Sequence, residues 1–222
     1  NFEALGLDGA FFGSFTGAMA ITRLGVVPLA RPQYIGGAST YYGLVFVKKG
    51  SGIRTAQDMH NKRMAFVDRA TTAGYLLPLS YFKTVGIQNY KEWFKEYYFS
   101  GTHEGAINDV LNGSADVGAA KNTVLYRMAA KDKRVSKELE ILATSPHVPA
   151  NGLAVRQGLS AELMKSMKRE LLNLHQSEEG RVVLAALKIE KFVETTAKDY
   201  QPVLDYAASI GLDLKSYNYR NN

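Results

Sequence analysis

Short apolar segments alternate with longer segments of helical spacing along most of the chain, and this alternation limits the fold more than any other feature. Three such short segments span residues 64–67, 97–99 and 115–119, and a segment of helical spacing follows each. Strands that alternate with helices favour an α/β fold with parallel strands. The 222 residues suffice for one large domain or two small ones.

Each of these three segments runs into a turn that carries hydroxyl, imidazole or amide side chains. Thr71 and Thr72 follow the first segment, His103 the second and Asn122 the third. In open α/β sheets, ligands bind beyond the carboxyl ends of the strands. These polar groups are therefore expected to converge at one edge of a sheet.

The turn at Thr71 and Thr72 leads into a helix predicted over residues 72–82. The first N–H groups of a helix lack intrahelical partners and lie at the positive end of its dipole. Ala73 and Gly74 are small enough for a ligand to approach the backbone, so the turn suits an anion. An ordinary N-cap explains the same two threonines, and the turn alone favours the cap.

Composition excludes several classes of protein. The sequence has no cysteine, which rules out disulfides, cysteine nucleophiles and thiolate metal sites. It also lacks the run of about 18 apolar residues that a membrane span needs. The net charge is +6, but the basic residues are scattered rather than gathered on one stripe, which disfavours nucleic-acid binding. His60, His147 and His175 have no spacing typical of a metal site.

Two predicted strands, over residues 41–48 and 152–156, are flanked by glycine and proline and separated by a self-contained block. This arrangement predicts a discontinuous lobe 1 over residues 1–44 and 152–222, with lobe 2 inserted over residues 45–151. The two strands that cross between the lobes would form the hinge. The ligand site is then expected in the cleft between the lobes, which would close around the ligand.

The remaining elements follow from hydrophobic periodicity and breakers. Further strands are predicted over 8–12, 26–30 and 139–143, and further helices over 15–24, 104–111 and 122–130. Pro28, Pro32 and the pair Gly36 and Gly37 are expected to bracket a loop. From residue 160 the chain is predicted to be largely helical to about residue 210, with interruptions near Gly180 and Phe192.

Several segments, taken in order along essentially the whole chain, resemble the periplasmic phosphate, phosphite and phosphonate-binding proteins of ABC transporters. The matching segments are residues 8–14, 39–43, 51–53, 66–74, 101–103, 113–116 and 145–152. The resemblance implies a two-lobed α/β fold of the type II periplasmic binding proteins, in which each lobe is a mixed sheet flanked by helices. Family members usually begin with a strand and a helix before the segment that matches Asp8, and these elements of lobe 1 are expected to be missing here.

The resemblance also implies a ligand site. The family's hydroxyl-rich turn corresponds to Thr71, Thr72 and Ala73 with Gly74, and Ala73 replaces the usual third hydroxyl. His103 corresponds to the family's pocket histidine. Two hydroxyls, a helix N-terminus and an imidazole N–H supply several of the donors that a phosphoryl oxyanion requires.

Tyr41 matches the family's tyrosine on the first crossing strand. Because Tyr41 and Tyr42 alternate on a strand, only one of them can face the cleft, and Tyr42 is then expected in the core. Ser14 could cap a helix or contact the ligand from lobe 1, and the residues do not decide between these two roles.

The resemblance further bears on the class of ligand. Aminoalkylphosphonate binders in the family hold the ligand's amine with carboxylates, and the aligned positions here are the uncharged Thr123 and Asn151. This favours phosphate, phosphite or a small alkylphosphonate. Lys121 is expected near the same cleft, so an unrelated compact ligand remains an alternative. Asn122 is expected either to contact the ligand or to cap the helix.

These observations predict a periplasmic or otherwise extracytoplasmic bacterial solute-binding protein that acts as a monomer with an ABC transporter permease and needs no cofactor or metal. One alternative is the ligand-sensing domain of a membrane receptor such as a histidine kinase. Another is an enzyme of the type that makes the thiamin pyrimidine, which shares the fold. The sequence has no G-x-S-x-G elbow, P-loop, paired carboxylates or metal cluster, so an enzyme is disfavoured.

Overall fold

The computed structural model describes residues 2–219. The strands in chain order are β1 (Gly9–Phe12), β2 (Val27–Tyr34), β3 (Thr40–Tyr41), β4 (Gly43–Lys48), β5 (Arg63–Phe66), β6 (Glu96–Phe99), β7 (Val117–Lys121), β8 (Leu139–Thr144), β9 (Val148–Pro149), β10 (Gly152–Val155) and β11 (Ile189–Glu194). The α-helices are α1 (Ser14–Leu24), α2 (Leu77–Thr84), α3 (Tyr90–Trp93), α4 (His103–Leu111), α5 (Asn122–Lys131), α6 (Lys133–Glu138), α7 (Ala161–Asn173), α8 (Glu178–Leu187) and α9 (Gln201–Ser209). A π-helical turn, Thr72–Leu76, leads directly into α2. Within residues 2–219, none of the helices has the length and apolar character needed to cross a membrane.

Contacts between Cα atoms divide the chain into two compact units. The first unit comprises residues 2–41, 148–205 and 213–216, and the second comprises residues 42–147, 206–212 and 217–219. The sequence-based bounds instead assign all of residues 152–222 to lobe 1. The difference arises because Ile210 and Leu212 line a cavity together with Leu79 and Phe82 of the second unit.

The second unit is built on a five-stranded sheet with the order β6-β5-β7-β4-β8. Strand β5 is parallel to both β6 and β7, as the alternation of strands and helices predicts. Strand β4 runs antiparallel to both β7 and β8, so the sheet is mixed.

Both faces of this sheet are covered, which explains the nearly continuous apolar sequence of β4. Leu44 and Phe46 join a core cluster on one face, with side chains of α4 and α5. Val45 and Val47 join a second cluster on the other face, with residues such as Phe82. Because side chains alternate along a strand, a strand buried on both sides needs an apolar residue at every position.

The first unit contains a four-stranded sheet with the order β1-β10-β2-β11, and within residues 2–219 its strand pairings are all antiparallel. Parallel strands were expected from the alternation, and for this sheet that expectation is wrong. The interruption predicted near Phe192 is a full strand, β11, in which Phe192 is 6% exposed and pairs with Pro32. The interruption predicted near Gly180 is confirmed, because α7 ends at Asn173 and α8 begins at Glu178; Gly180 itself lies in the first turn of α8. A Cβ at Gly180 would lie 1.8 Å from the carbonyl oxygen of Leu174. Glycine at this position therefore allows the backbone of α8 to pack closely against the backbone at Leu174.

Strand β2 is longer than predicted: it runs through Pro28, which lies inside the predicted strand, and continues through Pro32, which was expected to border a loop. Proline has no N–H to donate to the hydrogen-bond ladder of a sheet. Pro28 pairs with Ala154 of the neighbouring β10, and the register of that pairing is irregular between Leu153 and Ala154. The turn after β2 lies at Gly36 and Gly37, both of which have positive φ. These two glycines therefore mark the turn correctly and the prolines do not.

Candidate functional site

The three turns that carry polar side chains lie at the same edge of the second unit's sheet. Strands β6, β5 and β7 are neighbours and parallel, so their carboxyl ends point the same way. Thr71 and Thr72 follow β5, His103 begins the helix after β6, and Lys121 ends β7. The structure therefore brings these four residues to one sheet edge, as the sequence predicts.

Backbone hydrogen bonds join the turns to one another. The amide of Ser100 donates to the Phe66 carbonyl at 2.9 Å, and the amide of Gly101 donates to the Val67 carbonyl at 2.9 Å. These bonds continue the β5–β6 ladder beyond the strands. The turn carrying the threonines is thus held against the turn that precedes His103.

Thr71 lies at the N-cap position of the π-helical turn, but its side chain does not cap it. The Thr71 hydroxyl instead donates to the Asp68 carbonyl at 2.6 Å, and Asp68 accepts a 2.6 Å bond from the Ala70 amide. Thr72, the first residue of the turn, is 4% exposed. The N-cap interpretation of Thr71 therefore fails on geometry, because its hydroxyl faces the preceding loop.

The hydrogen bond that opens this turn spans one residue more than a hydrogen bond of an α-helix. The Leu76 amide donates to the Thr71 carbonyl at 3.2 Å, a spacing of five residues. Single π-helical turns occur frequently at functional sites. The amides of Ala73 and Gly74 precede Leu76 and lie at the helix start, where an anion is stabilised by N–H groups and by the helix dipole.

Gly74 allows the turn to approach the strand that precedes it. The Val67 amide donates to the Gly74 carbonyl at 3.1 Å. A Cβ at Gly74 would lie 2.4 Å from Val67 Cβ and 2.8 Å from Thr71 Oγ1, distances that a real side chain does not tolerate. Any larger residue would therefore push the threonine turn away from the end of β5.

His103 is a neutral imidazole with a defined tautomer. Its Nδ1 accepts a 3.2 Å hydrogen bond from the Lys121 backbone amide. Burial, and then the charge of Lys121, lower the pKa of His103 from 6.5 to about 4. A neutral imidazole that accepts at Nδ1 carries its proton on Nε2, which leaves an N–H donor for a ligand.

Lys121 brings a partly desolvated ammonium to the same edge. Burial, and then the charge of Arg127, lower the pKa of Lys121 from 10.5 to about 8. Arg127 itself forms an ion pair with Glu104, the residue after His103. Sequence reasoning missed this pair, because Arg127 and Glu104 lie on different helices and no local motif joins them.

Asn122 has a structural role, and the cap interpretation is wrong because Lys121 holds the N-cap position of α5. The Asn122 side-chain oxygen accepts a 3.1 Å bond from the Tyr42 amide, and the Asn122 amide donates to the Tyr42 carbonyl at 3.1 Å. Asn122 therefore joins the end of β7 to the start of β4. Thr123 is exposed on the first turn of α5.

Three of the predicted site residues, Ser14, Tyr41 and Asn151, lie in the first unit. Ser14 is fully buried, and its hydroxyl donates to the Pro149 carbonyl at 2.8 Å. Since that hydroxyl has one hydrogen, Tyr41 donates the 2.6 Å bond between the two side chains. Ser14 is thus not a helix cap, a position that Gly13 occupies. Asn151 is exposed in the short connection between β9 and β10.

Tyr41 and Tyr42 lie in different environments. Tyr41 is 5% exposed, so it is the more buried of the two. Tyr42, which was expected in the core, is partly buried and packs against the core cluster that contains Leu44 and Phe46. Its ring contacts His147 at 5.0 Å between centroids, and its hydroxyl bonds to the Tyr126 hydroxyl at 3.0 Å.

The family model and the relatives that match this chain point to the same family. Residues 2–200 match the family model described as the periplasmic substrate-binding protein of ABC phosphonate transporters. The chain is 23% identical over 205 residues to the phosphonates-binding periplasmic protein of Escherichia coli, covering 90% of this chain and 60% of the relative. It is also 23% identical over 159 residues to a probable ABC transporter phosphite-binding protein of Prochlorococcus marinus, covering 69% of this chain and 53% of that protein. The chain thus spans between half and two thirds of the length of these relatives.

A solved structure shows the same fold. The PhnD1 protein of Prochlorococcus marinus, in complex with methylphosphonate, superposes with a TM-score of 0.76 at 21% identity over 94% of this chain and 80% of that one. The prediction of a type II periplasmic binding protein fold is confirmed. The second unit's five-stranded sheet is mixed, as predicted, whereas the described pairings of the first unit's four-stranded sheet are all antiparallel. The chain belongs to the family of periplasmic substrate-binding proteins of ABC phosphonate transporters.

Proposed function

We propose that this protein captures a small phosphorus oxyanion, either phosphate, phosphite or an alkylphosphonate, and presents it to the permease of an ABC transporter outside the cytoplasm. The family is one of transport proteins that bind a substrate rather than convert it. A relative of this family is solved with methylphosphonate, which supports a ligand of that class.

The observation that carries the proposal is the shared edge of three parallel strands, where a helix start, two threonines and a neutral histidine meet. A phosphoryl group offers several acceptor oxygens and needs several donors in fixed positions. The amides at the start of the 72–76 turn and the His103 Nε2–H supply uncharged donors. These donors are rigid because backbone hydrogen bonds join their turns.

The charges at this edge favour an anion without an amine. Lys121 contributes an ammonium. The neighbouring carboxylate of Glu104 pairs with Arg127, and Asp68 accepts from the backbone of its own loop. An amino group on the ligand would therefore meet positive charge, and we infer that aminoalkylphosphonates bind more weakly than methylphosphonate.

The test is a calorimetric titration of the protein after unfolding and refolding, which removes any ligand carried through purification. The panel is phosphate, phosphite, methylphosphonate, aminoethylphosphonate and sulfate. We expect micromolar or tighter binding to one of the first three and at least tenfold weaker binding of aminoethylphosphonate. Absence of binding across the panel would contradict the proposal and direct the search to heterocycles and sulfonates.

A further inference from the structure

The segment that carries the two threonines is bonded to the far end of the chain. The hydroxyl of Tyr217 donates to the Arg69 carbonyl at 2.9 Å, across a separation of 148 residues. Both residues belong to the second unit, and Arg69 lies two positions before Thr71. The bond therefore fixes the entry to the threonine turn.

The same hydroxyl also interacts with Tyr75, which lies in the π-helical turn on the other side of the threonines. Because the Tyr217 hydrogen is directed at Arg69, Tyr217 accepts from Tyr75. Tyr75 is in turn 3.1 Å from the hydroxyl of Tyr90, which then acts as the donor of that pair. The three phenols form a directional series, Tyr90 to Tyr75 to Tyr217, that ends at the Arg69 carbonyl. We call it the tyrosine chain.

The tyrosine chain lies in a rigid, largely apolar setting. Tyr75 is 5% exposed, and its ring contacts Phe66 at 5.4 Å between centroids. The guanidinium of Arg69 lies 5.4 Å from the centre of the Phe99 ring, which orients the Arg69 residue. Burial raises the pKa of Tyr217 to about 12, so its phenol keeps its hydrogen at ordinary pH.

We propose that Tyr217 is a positioning residue for the oxyanion site, holding both ends of the segment from Arg69 to Tyr75 so that its threonines and amides are fixed before the ligand arrives. This inference rests on the proposed function of that segment. A site held in its binding geometry loses less conformational freedom on binding and so binds more tightly. Tyr217 itself need not touch the ligand.

The test compares Tyr217→Phe with Tyr219→Phe, a control that removes a hydroxyl from a side chain that is 43% exposed two residues away. The probe is whichever of phosphate, phosphite and methylphosphonate binds the unaltered protein most tightly. Loss of the Tyr217 hydroxyl removes the bond to the Arg69 carbonyl and the interaction with Tyr75, and we expect a dissociation constant raised roughly three- to tenfold. Tyr219→Phe should stay within twofold of the unaltered protein.

A second readout separates positioning from a purely stabilising role. Hydrogen exchange of the backbone amides in residues 66–76, measured without ligand and well below the melting temperature, should be faster in Tyr217→Phe and unchanged in Tyr219→Phe. Tyr75→Phe removes the contacts of the Tyr75 hydroxyl with Tyr217 and Tyr90 but keeps the bond from Tyr217 to the Arg69 carbonyl. Because the entry to the threonine turn stays bonded, this variant should lose less affinity than Tyr217→Phe.

A Tyr217→Phe variant that melts earlier, yet binds the probe within twofold and shows unchanged exchange in residues 66–76, would overturn the inference. If the unaltered protein binds none of the three anions, the proposed function has failed. The exchange experiment uses no ligand, so its outcome still decides whether Tyr217 holds the segment.

Discussion

The backbone amide of Lys121 donates a 3.2 Å hydrogen bond to Nδ1 of His103, and this bond joins the turn after β7 to the start of the helix after β6. It fixes the imidazole's orientation and leaves the proton of the neutral ring on Nε2. Because a protonated imidazole could no longer accept at Nδ1, the bond also favours the neutral form. Two predictions concern this pair.

The first prediction is a loss of stability on mild acidification that depends on His103. The pKa of His103 is about 4 in the folded state and 6.5 when unperturbed, so the unfolded chain binds the extra proton between these values and stability falls as pH falls. Between pH 7 and pH 5 this contributes a loss of about 2 kcal/mol in the free energy of unfolding. In urea unfolding, the free energy of unfolding of His103→Gln should fall between pH 7 and pH 5 by this amount less than that of the unaltered protein. His60→Gln, at an exposed position, is the control, and an equal effect of the two substitutions would contradict the prediction.

The second prediction is that affinity for the oxyanion falls in alkaline solution. The pKa of Lys121 is about 8 in the free protein, and a bound anion would raise it, so above pH 8 binding requires uptake of a proton. Affinity should then fall by up to about tenfold for each pH unit above 8. Phosphite is the suitable probe because its own ionisation is complete below that range. Titrations of Lys121→Met should show weaker binding at pH 7.5 and little further change at higher pH, whereas an unchanged slope would assign the proton to another group.

Gly74→Ala should destabilise the protein and weaken binding together. The added Cβ would overlap Val67 and Thr71, and such overpacking typically costs about 1–3 kcal/mol. Gly13→Ala is the matched control, because the nearest atom to its Cβ would be Thr16 Oγ1 at 3.5 Å and its φ is −64°. Thermal unfolding and calorimetry of both variants test this. Equal stability of the two variants would mean that the turn can move away from β5 without cost.

Ser14→Ala should cost stability in the first unit. The change removes the bonds to Tyr41 and to the Pro149 carbonyl, and a buried polar group without a partner costs about 1–3 kcal/mol. Tyr41→Phe removes only the first bond. Because Ser14 and Tyr41 share one hydrogen bond, the double variant should lose less than the sum of the two single losses. Additive losses in urea unfolding would show that the two hydroxyls act independently.

The sequence predicts the elements of the second unit well, because their signals are local. An apolar run at residues 64–67, a threonine turn and an amphipathic helix each span a few residues, and glycine at position 113 has the positive φ that the helix end predicted there requires. Three such units in succession indicate parallel strands and a shared edge. The candidate site proposed at that edge follows from this regularity.

The rest depends on partners that lie far apart in the chain. Strand β11 has a mixed polar and apolar sequence within a largely helical region, and only its pairing with β2 makes it a strand. The bond from Ser14 to Tyr41 spans 27 residues and the bond from Tyr217 to Arg69 spans 148, and neither leaves a local pattern. The extended backbone at Pro28 and Pro32 likewise depends on neighbouring strands, since proline alone predicts a turn.

The most direct measurement of the central claim is a titration of the Thr71→Val/Thr72→Val variant beside the unaltered protein, with the anion that binds best. The control is Thr84→Val. The Thr84 hydroxyl donates to the carbonyl three residues earlier, as the Thr71 hydroxyl does, but Thr84 lies at the C-terminal end of α2, away from the threonine turn. We expect the Thr71 hydroxyl to exchange its bond to the Asp68 carbonyl for one to the anion on binding. The double variant then lacks two bonds to a charged ligand and should bind at least about a hundredfold more weakly, while the control binds normally. Retained affinity in the folded double variant would place the anion elsewhere and contradict the account.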